Sequence, residues 1–357
     1  MKNLLFLIAI LFLFACDPFD AIIEDQKETI SFYESKQQTD VAPLTRSLQI
    51  ATWNIKFGGG RIDFFFDCFG NHSLMKKTDV ENHLKGIAAK IKQMSPDVIF
   101  LQEVDIQAKR SAYIDQVQWL LDNTDLNYGI YASQWKSDYV PSDGIGRINT
   151  GNAILSRYPL KDGERIALPL IDDQSGLVQY FYLRRNILKA NITSADGKTI
   201  ALLGTHTSAF ATDGTKDKQL AEIKKEIDAL DAAGTSFVLG GDFNSLPPNT
   251  QKLKDFEDDV CPKDSDFSTN DFSKEGDIML PFFDYKPLIP LDEYAANNAD
   301  YFSFTADKNG FWNRKLDYMF TNAKFVNGLV HLDEARGGMA TMPLSDHAPL
   351  SGVLSDW

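Results

Sequence analysis

The sequence predicts a single α/β domain that fills residues 48–357. Short apolar runs typical of buried strands alternate with stretches of helical periodicity along this part of the chain. The composition, 43% hydrophobic and 12% aromatic, supplies enough apolar side chains for a sizeable core and excludes a disordered chain. No repeat or low-complexity linker divides the domain, although residues 246–310 are rich in Pro, Asp and Asn and predict a long, loop-rich insertion.

The individual elements follow from apolar periodicity and from turn residues. Apolar residues at positions 80, 84, 87, 88 and 91 have helical spacing, and Ser95-Pro96 ends that helix. Residues 113–121 and 216–230 predict two further helices, and Ala195-Asp196-Gly197-Lys198 predicts a hairpin turn. The predicted strands cover residues 48–55, 98–101, 152–155, 178–192, 199–205, 237–239 and 316–320, with a closing strand near Leu350.

The N-terminal segment has the pattern of an export signal. Lys2 precedes an apolar run over residues 4–15, which is too short to span a bilayer but fits the apolar core of a signal peptide. Ala15-Cys16 closes that run and resembles a bacterial lipobox, so we expect residues 1–16 to be a lipoprotein signal and Cys16 to be lipidated. The alternative is an ordinary signal peptide that contains a cysteine. The first interpretation predicts an exported, lipid-anchored protein of the bacterial cell envelope.

The segment that follows, residues 17–47, is polar and of mixed charge, and it predicts a tether between the membrane and the domain. Cys68 and Cys261 would then be the remaining cysteines, either paired or present as two buried thiols. Neither lies in a Cys/His cluster, which argues against a structural zinc site. The formal net charge of −14 argues against a broad polybasic surface for nucleic acid.

Polar residues able to bind metal or phosphate follow the predicted strands at several separate places. Active sites of sheet proteins are built from strand ends and the loops that follow them. Each place alone has an ordinary explanation as a turn or a capped loop, but a buried carboxylate such as Glu103 is costly without a partner. Their occurrence together indicates a catalytic site. The segments are Thr52-Trp53-Asn54-Ile55, Leu101-Gln102-Glu103-Val104-Asp105, Gly204-Thr205-His206-Thr207, Gly240-Gly241-Asp242-Phe243-Asn244, Lys315-Leu316-Asp317-Tyr318 and Ser345-Asp346-His347-Ala348-Pro349.

In this order, the Gln-Glu, Gly-Asp-Phe-Asn and Ser-Asp-His segments resemble the endonuclease/exonuclease/phosphatase superfamily, which includes DNase I-like nucleases, neutral sphingomyelinases and inositol phosphatases. The resemblance covers about residues 48–357. It implies a four-layered α/β sandwich, in which two mostly antiparallel sheets pack face to face with helices outside. It also implies an enzyme that hydrolyses a phosphate ester with water and a divalent metal.

The same resemblance implies the metal ligands. Glu103 would be the principal ligand, with Asn54 nearby and Asp346 completing the metal region. All three offer oxygen, which suits a hard cation such as Mg²⁺ or Mn²⁺ and argues against zinc. Whether the site takes one ion or two stays open.

The resemblance also implies the groups that act on the phosphate. Asp242 would orient and help to deprotonate the attacking water, and Asn244 would hold that water or a phosphate oxygen. His206 and His347 would donate hydrogen bonds to the phosphate oxygens. Asp317 would hydrogen-bond His347, which fixes its tautomer and favours its charged form.

Two further residues match a broad bacterial branch of the superfamily. Asn152, in the segment of residues 151–157, would face the scissile phosphate where abasic-site nucleases have a tyrosine, and this departure argues against abasic-site endonuclease activity. Arg110 is either a phosphate contact or a surface salt bridge.

The substrate stays open between three classes. The first is a small or lipid phosphate ester, as in a sphingomyelinase-like phosphodiesterase; the second is nucleic acid, as in an exported nuclease; the third is a non-catalytic lipoprotein that only binds. A monomer is expected. Residues 58–70 contain four phenylalanines, which form either a local core under a loop or an exposed platform for a base or lipid. Few basic residues are candidates for a nucleic-acid groove: Lys76, Lys77, Arg184 and Arg185.

Overall fold

Two β-sheets form the centre of the structure, a computed structural model that describes residues 23, 30–67, 70–140, 144–172, 174, 182–209, 213–258, 271–306, 311–332 and 339–357. The strands are β1 (Ser31–Glu34), β2 (Ser47–Asn54), β3 (Val98–Asp105), β4 (Tyr128–Val140), β5 (Gly146–Ser156), β6 (Lys161–Ala167), β7 (Asn186–Thr193), β8 (Thr199–His206), β9 (Ser236–Asp242), β10 (Lys286–Pro287), β11 (Asp317–Thr321), β12 (Lys324–Val330) and β13 (Leu350–Ser355). The α-helices are α1 (Lys77–Met94), α2 (Gln116–Asn123), α3 (Thr215–Ala232) and α4 (Leu291–Ala296).

The two sheets have a mixed topology. The seven-stranded sheet has the order β1-β4-β5-β3-β2-β13-β12, and the six-stranded sheet has the order β10-β11-β9-β8-β7-β6. Neighbouring strands are antiparallel except for β2 with β3 and β8 with β9, which are parallel. Parallel neighbours require a crossover connection, and α1 and α3 supply one for each pair.

The side chains of β2 show why the sheets pack in layers. Leu48 and Ile50 point into the core between the sheets, where they join Val238 of the second sheet. Ala51 and Trp53 point the other way, into a cluster that includes the apolar face of α1. This alternation is the period of two expected for a strand that is buried on both faces.

The second sheet is covered in the same way by α3. Leu220, Ile223 and Ile227 of α3 pack against Phe237 and Leu239 of β9. The order of layers is therefore helix, sheet, sheet, helix, and the predicted four-layered α/β sandwich is confirmed.

The two parallel pairs bring the predicted chemistry to one end of the sandwich. Asn54, the last residue of β2, lies opposite Gln102 of β3. His206, the last residue of β8, lies opposite Asp242 at the end of β9, and Asp317 of β11 is the antiparallel partner of Asp242. Because parallel neighbours end at the same edge of a sheet, side chains from distant segments meet there.

The predicted tether differs from the structure over its second half. Residues 31–34 form β1, which pairs with β4 at the edge of the first sheet, and Leu44 is buried in the core between the sheets. A four-residue edge strand in which Tyr33 is the one half-buried side chain has too little periodicity to be recognised in a polar sequence. Of the predicted strand 178–192, residues 178–181 lie outside the described residues, and β7 begins at Asn186 within the remainder.

Several N-terminal and cysteine predictions lie outside the described residues. The export signal, the lipidation of Cys16 and the pairing of Cys68 with Cys261 therefore stay predictions. Within the described ranges, no helix has both the length and the apolar character needed to cross a membrane.

Candidate active site

The carboxylate of Asp242 is the centre of the candidate site. It is buried at the end of β9, and its Oδ2 accepts a hydrogen bond from Asn54 Nδ2 at 3.0 Å. The same oxygen lies 3.4 Å from His206 Nε2 and 3.5 Å from His347 Nε2. Four predicted site residues from both sheets therefore meet at one carboxylate oxygen.

The backbone beside Asp242 is packed too closely for a side chain. A Cβ atom on Gly241 would lie 2.0 Å from the backbone oxygen of Thr205, so the close approach of β8 and β9 requires glycine here. Burial raises the pKa of the Asp242 carboxyl; the charge of His347 opposes this rise and the charge of Asp317 adds to it.

Asp317 holds His347 in its charged form, as the resemblance implied. Asp317 Oδ2 lies 2.8 Å from His347 Nδ1 and accepts a hydrogen bond from Ser303 Oγ at 2.7 Å. Burial alone would lower the pKa of His347, but the carboxylates of Asp317 and Asp242 outweigh it and raise the pKa to about 10. His347 is therefore a buried cation at neutral pH, and both of its ring nitrogens are donors.

His206 has the opposite electrostatic state. Burial lowers its pKa well below the usual value, and the charges of Arg185 and His347 lower it further. Its Nδ1 is buried, and no polar atom of the described residues is within hydrogen-bonding distance of it. The site thus combines one neutral and one charged imidazole beside the same carboxylate.

Asn244 is held beside Asp242 by its backbone. Its N–H donates to Asp242 Oδ1 at 2.9 Å, and its side-chain Nδ2 donates to the backbone oxygen of Thr207 at 3.1 Å. Its φ angle of 47° is uncommon for a residue with a β carbon, although asparagine tolerates it better than most. The buried Lys216 donates to the Asn244 carbonyl at 2.6 Å and also pairs with Glu275, which fixes this turn.

Glu103 projects from a β-bulge. The pairing of β3 with β5 is interrupted between Leu101 and Val104, and Glu103 has a φ angle of 55°. A bulge redirects one side chain out of the alternation of a strand, and here Asn54 Nδ2 donates to Glu103 Oε1 at 3.2 Å. Burial raises the pKa of the Glu103 carboxyl, and the nearby charge of Asp346 raises it further.

Asp346 is surrounded by cations. Its Oδ2 lies 3.3 Å from Lys56 Nζ, and its Oδ1 accepts a hydrogen bond from Ser345 Oγ at 3.3 Å. Burial would raise the pKa of Asp346, but the charges of Lys56, His347 and Arg61 outweigh it and lower the pKa. The three predicted metal residues are therefore neighbours, but Asp346 already has a positively charged partner.

The surroundings of Glu103 fit a hard divalent cation. Its half-buried carboxylate is near enough to that of Asp346 for the two charges to repel, and burial together with this repulsion raises the pKa of Glu103. A cation bound at Glu103 would relieve both the burial and the repulsion. Asn54 would join it only through Oδ1, which here accepts the backbone N–H of Lys56 at 3.0 Å, because its Nδ2 is the amide atom that faces Glu103. Oxygen donors of this kind suit Mg²⁺ or Mn²⁺.

A second group also has metal-binding geometry. One ligand atom from each of Asp242, Asp317 and His347 lies within 4.8 Å of the others. His347, however, is protonated and donates from both nitrogens, so it offers no lone pair to a metal. In this protonation state His347 could not serve as a metal ligand, and the group would keep two carboxylates for an ion.

The two expected phosphate contacts have different outcomes. Arg110 forms an ion pair with the fully buried Asp105: its Nε and Nη2 each donate to a carboxylate oxygen at 2.9 Å. Its guanidinium carbon lies 3.6 Å from the ring centroid of Phe57. A buried carboxylate requires such a partner, which explains the buried ion pair in place of a phosphate contact or a surface salt bridge.

Asn152 Nδ2 donates to Asn186, while its Oδ1 is buried and accepts no hydrogen bond from the described residues. Its role at the scissile phosphate stays a prediction.

The aromatic loop after β2 is a local core. Phe57 and Phe64 are fully buried and meet edge to face with centroids 4.8 Å apart, and Phe66 stacks on Phe64 at 5.6 Å. In the late insertion, Phe282 is buried against Phe243 in the same way. The interpretation as packed cores is confirmed for these residues, while Phe69 lies outside the described residues.

Sequence reasoning gave too little weight to two cations at the site. Arg185 is buried directly before β7, where the charges of Glu103 and Asp242 act on it. Lys56 lies two residues after Asn54 and bonds Asp346. Both lie beside motif residues in the sequence, but their inward orientation depends on the fold, which no local pattern reveals.

Comparisons with solved structures agree with this architecture. An endonuclease/exonuclease/phosphatase from Beutenbergia cavernae has 20% identity and a TM-score of 0.58, and the alignment covers 87% of this chain and 72% of that one. A member from Bacteroides vulgatus has 15% identity and a TM-score of 0.54, with 87% and 99% covered. The human Nocturnin catalytic domain has 16% identity and a TM-score of 0.53, with 92% and 97% covered. At these identities the similarity shows the shared fold.

The sequence comparison identifies the family. No functionally curated protein sequence matches this chain significantly. The family model described as Endonuclease/Exonuclease/phosphatase family matches residues 51–347, which include every predicted site residue. The chain therefore belongs to the endonuclease/exonuclease/phosphatase family, whose members are typically hydrolases that act on phosphate esters and generally use divalent metals.

Proposed function

We propose that this protein is a divalent-metal-dependent phosphoesterase that hydrolyses a phosphate ester by in-line attack of water. One observation carries the proposal: Asp242 Oδ2 lies within 3.5 Å of the side-chain nitrogens of Asn54, His206 and His347. A buried carboxylate that can accept a proton is thereby placed beside donors that can bind phosphate oxygens. Hydrolysis of a phosphate ester requires both.

Each residue has a defined part in this reaction. Asp242 orients the water and takes its proton, and the raised pKa of its carboxyl makes it a stronger base than an exposed aspartate. His347, charged through Asp317, stabilises the negative charge that develops on the phosphate oxygens. His206, which is neutral, donates a hydrogen bond to the same group. A divalent cation held by Glu103 and Asn54 would supply Lewis-acid polarisation of a phosphoryl oxygen.

The surroundings of Arg185 are an argument for an anionic substrate. Its guanidinium is buried, and among the described residues its one hydrogen bond to a side chain is from Nη1 to Gln134 Oε1 at 3.1 Å. Its Nε is buried, and the described residues supply no acceptor for it. A buried cation without a carboxylate partner is costly, and a bound phosphate would compensate it.

The placement of charge favours a compact phosphate ester over a polymer. Lys56 and Arg185 are buried and Arg61 is half-buried, so the positive charge is concentrated at one point. A nuclease instead tracks a backbone with basic side chains along an open groove. The inward packing of Phe64 also argues against the alternative interpretation of residues 58–70 as an exposed aromatic platform.

The test is a substrate panel on the purified full chain with Mg²⁺, with Mn²⁺ and with EDTA. The panel holds p-nitrophenyl phosphate, bis-p-nitrophenyl phosphate, inositol phosphates, sphingomyelin, plasmid DNA and RNA. We expect metal-dependent turnover of a small phosphate ester and a loss of about 10²-fold or more in Asp242→Asn and in His347→Ala. Asp284→Asn, at an exposed acid, is the control.

The panel also separates the alternatives. Preferred cleavage of DNA or RNA would favour the nuclease, and preferred cleavage of sphingomyelin would favour the lipid phosphodiesterase. Turnover that survives in both Asp242→Asn and His347→Ala would refute the proposed mechanism. Absence of turnover on the whole panel together with absence of metal binding would favour the non-catalytic binding protein.

A further inference from the structure

A groove beside α3, the α3 groove, is a second concave site in the molecule. It has a volume of about 600 Å³, and its two walls are one side of α3 and the segment of residues 275–282. None of the residues predicted for catalysis or for metal binding is among the described residues that line it. A volume of this size is typical of pockets that take a small molecule.

The floor of the α3 groove is apolar and belongs to the core. Leu220 and Phe282 line the groove, and both are buried in the cluster that joins α3 to the second sheet. Ile278 and Pro281 continue the floor, the first half-buried and the second exposed. A ligand that covers this floor would therefore remove apolar surface from water without any rearrangement of the core.

The two lysines that line the α3 groove are paired with acids of the same helix. Lys224 Nζ lies 2.6 Å from Asp228 Oδ1 and 5.0 Å from the ring centroid of Tyr285. Lys225 Nζ lies 2.8 Å from Glu222 Oε2. Because both ammonium charges already have a partner, the groove has little attraction for an anionic ligand.

The charge that remains in the α3 groove is negative. Glu275 lines the groove but already pairs with the buried Lys216. Asp217 on the helix wall and Asp277 on the other wall are both exposed, and neither forms a salt bridge with a described residue. Asp277 Oδ1 accepts the backbone N–H of Asn249 at 2.9 Å. Each wall thus carries a carboxylate without a cation, and a positive charge between the walls would be attracted by both.

We propose that the α3 groove binds a small organic cation, an ammonium group joined to an apolar body. The body covers the floor at Leu220, Ile278 and Phe282, and the ammonium lies between Asp217 and Asp277. An apolar floor offers no oxygen ligands, so the lining suits an organic cation better than a metal ion. The site goes beyond the proposed hydrolysis and does not depend on it, and its ligand has the opposite charge to a phosphate ester.

The test is a ligand-observed NMR titration of the full chain with three probes, without metal or phosphate. The probes are phenethylammonium, phenethyl alcohol and phenylacetate, which share an aromatic body of similar size and differ in charge. We expect saturable binding of the ammonium, binding of the alcohol that is about tenfold weaker, and no binding of the carboxylate.

Three variants locate the binding. Asp217→Asn combined with Asp277→Asn should weaken ammonium binding by about tenfold, because both attracting charges are removed. Ala221→Trp, at an exposed residue of the helix wall, should fill the groove and abolish binding. Asp231→Asn, at an exposed acid of the same helix that does not line the groove, is the matched control and should bind as the wild type does.

The pattern of binding decides the proposal. The expected losses together with an unchanged Asp231→Asn would support it. Equal affinity for the three probes would overturn it, since charge would then have no part, and so would binding that persists in a folded Ala221→Trp. An equal loss in Asp231→Asn would also overturn it, because it would indicate attraction by the acidic surface as a whole. Absence of saturable binding to the wild type, which needs no variant to fold, would overturn it and leave the proposed hydrolysis intact.

Discussion

The ionisation of His347 depends most on Asp317. Asp317 lies at hydrogen-bonding distance from Nδ1, and with Asp242 it raises the pKa of His347 to about 10. The ordinary pKa of histidine is about 6.5, so folding keeps a proton on His347 through the neutral range. A permanent cation in a buried site is what the charge on a phosphate transition state requires.

This state predicts the alkaline limit of activity. If the charged His347 is required, the rate should persist until the pH approaches 10, and Asp317→Asn should move the alkaline limb to lower pH because the partner charge is gone. The stability linked to this proton is fully present below about pH 6.5 and is lost as the pH rises through about 10. A pH–rate profile for the wild type and Asp317→Asn, with Asp284→Asn as the control, checks this. An unchanged alkaline limb in Asp317→Asn would contradict it.

Arg185 and Arg110 form a contrasting pair of buried cations. Arg110 is bonded to the buried Asp105, whereas within the described part of the chain the guanidinium of Arg185 bonds a side-chain amide and no carboxylate. Arg110→Met should therefore destabilise the fold by about 3–5 kcal/mol, because Asp105 would stay buried without its partner. Arg185→Met should leave stability unchanged or higher, and should lower turnover by about 10²-fold.

Thermal unfolding and turnover of these two variants check the assignment of Arg185 to the substrate. Phosphate added to the wild type should raise its melting temperature, and this increase should be absent in Arg185→Met. A strong destabilisation by Arg185→Met with normal turnover would show that the residue is structural.

At the scale of elements, the loop over residues 56–67 depends on its buried aromatic rings. Phe64 is fully buried between Phe57 and Phe66, and the same loop fixes the ammonium of Lys56. The packing of this loop and the charge it presents are therefore coupled.

Phe64→Ala tests this coupling. Loss of a buried phenylalanine typically costs about 3–5 kcal/mol, so denaturant unfolding should show a loss of this size, and the turnover of the folded fraction should fall as Lys56 loses its position. Phe32→Ala, at a residue that is 61% exposed, should change stability by less than about 1 kcal/mol. Equal effects of the two substitutions would mean that the loop is not a packed core.

The strand ends and the bulge differ in how far sequence predicts them. The sequence predicts that Asn54, His206 and Asp242 lie at strand ends, because each is a polar residue that closes an apolar run. It does not predict the bulge that redirects Glu103, since the bulge arises from the mismatch between β3 and β5 and leaves no trace in either strand alone.

At the scale of the whole molecule, sequence predicted the central strands and missed those at the edges. β6 and β12 lie at sheet edges, and nearly all of their residues are exposed or half-buried, so they lack an apolar alternation. β4, thirteen residues long, was missed for a different reason: it buries polar residues such as Ser133 and Gln134, which conceal its periodicity. The family resemblance supplied the architecture that periodicity could not.

The distribution of charge explains how an acidic protein can bind a phosphate. The chain carries a net charge of −14, yet three cations are buried among the carboxylates of the site. Lys56 contacts Asp346, Arg185 lies near Glu103 and Asp242, and His347 contacts Asp317 and Asp242. Local charge decides where an anion binds, while net charge governs solubility and long-range attraction. The exclusion of a polybasic surface and the presence of a small cationic site are therefore compatible.

The central claim is a single in-line displacement by water that depends on a divalent metal, and the stereochemistry at phosphorus tests it most directly. The full chain would hydrolyse a chiral aryl phosphorothioate diester in ¹⁸O-labelled water with Mn²⁺, and the configuration of the product would be determined. We predict inversion, no product in the presence of EDTA, and a rate of product formation lower by about 10²-fold or more with Asp242→Asn. Retention of configuration, which indicates a covalent phosphoenzyme, or turnover that is indifferent to EDTA would contradict the account.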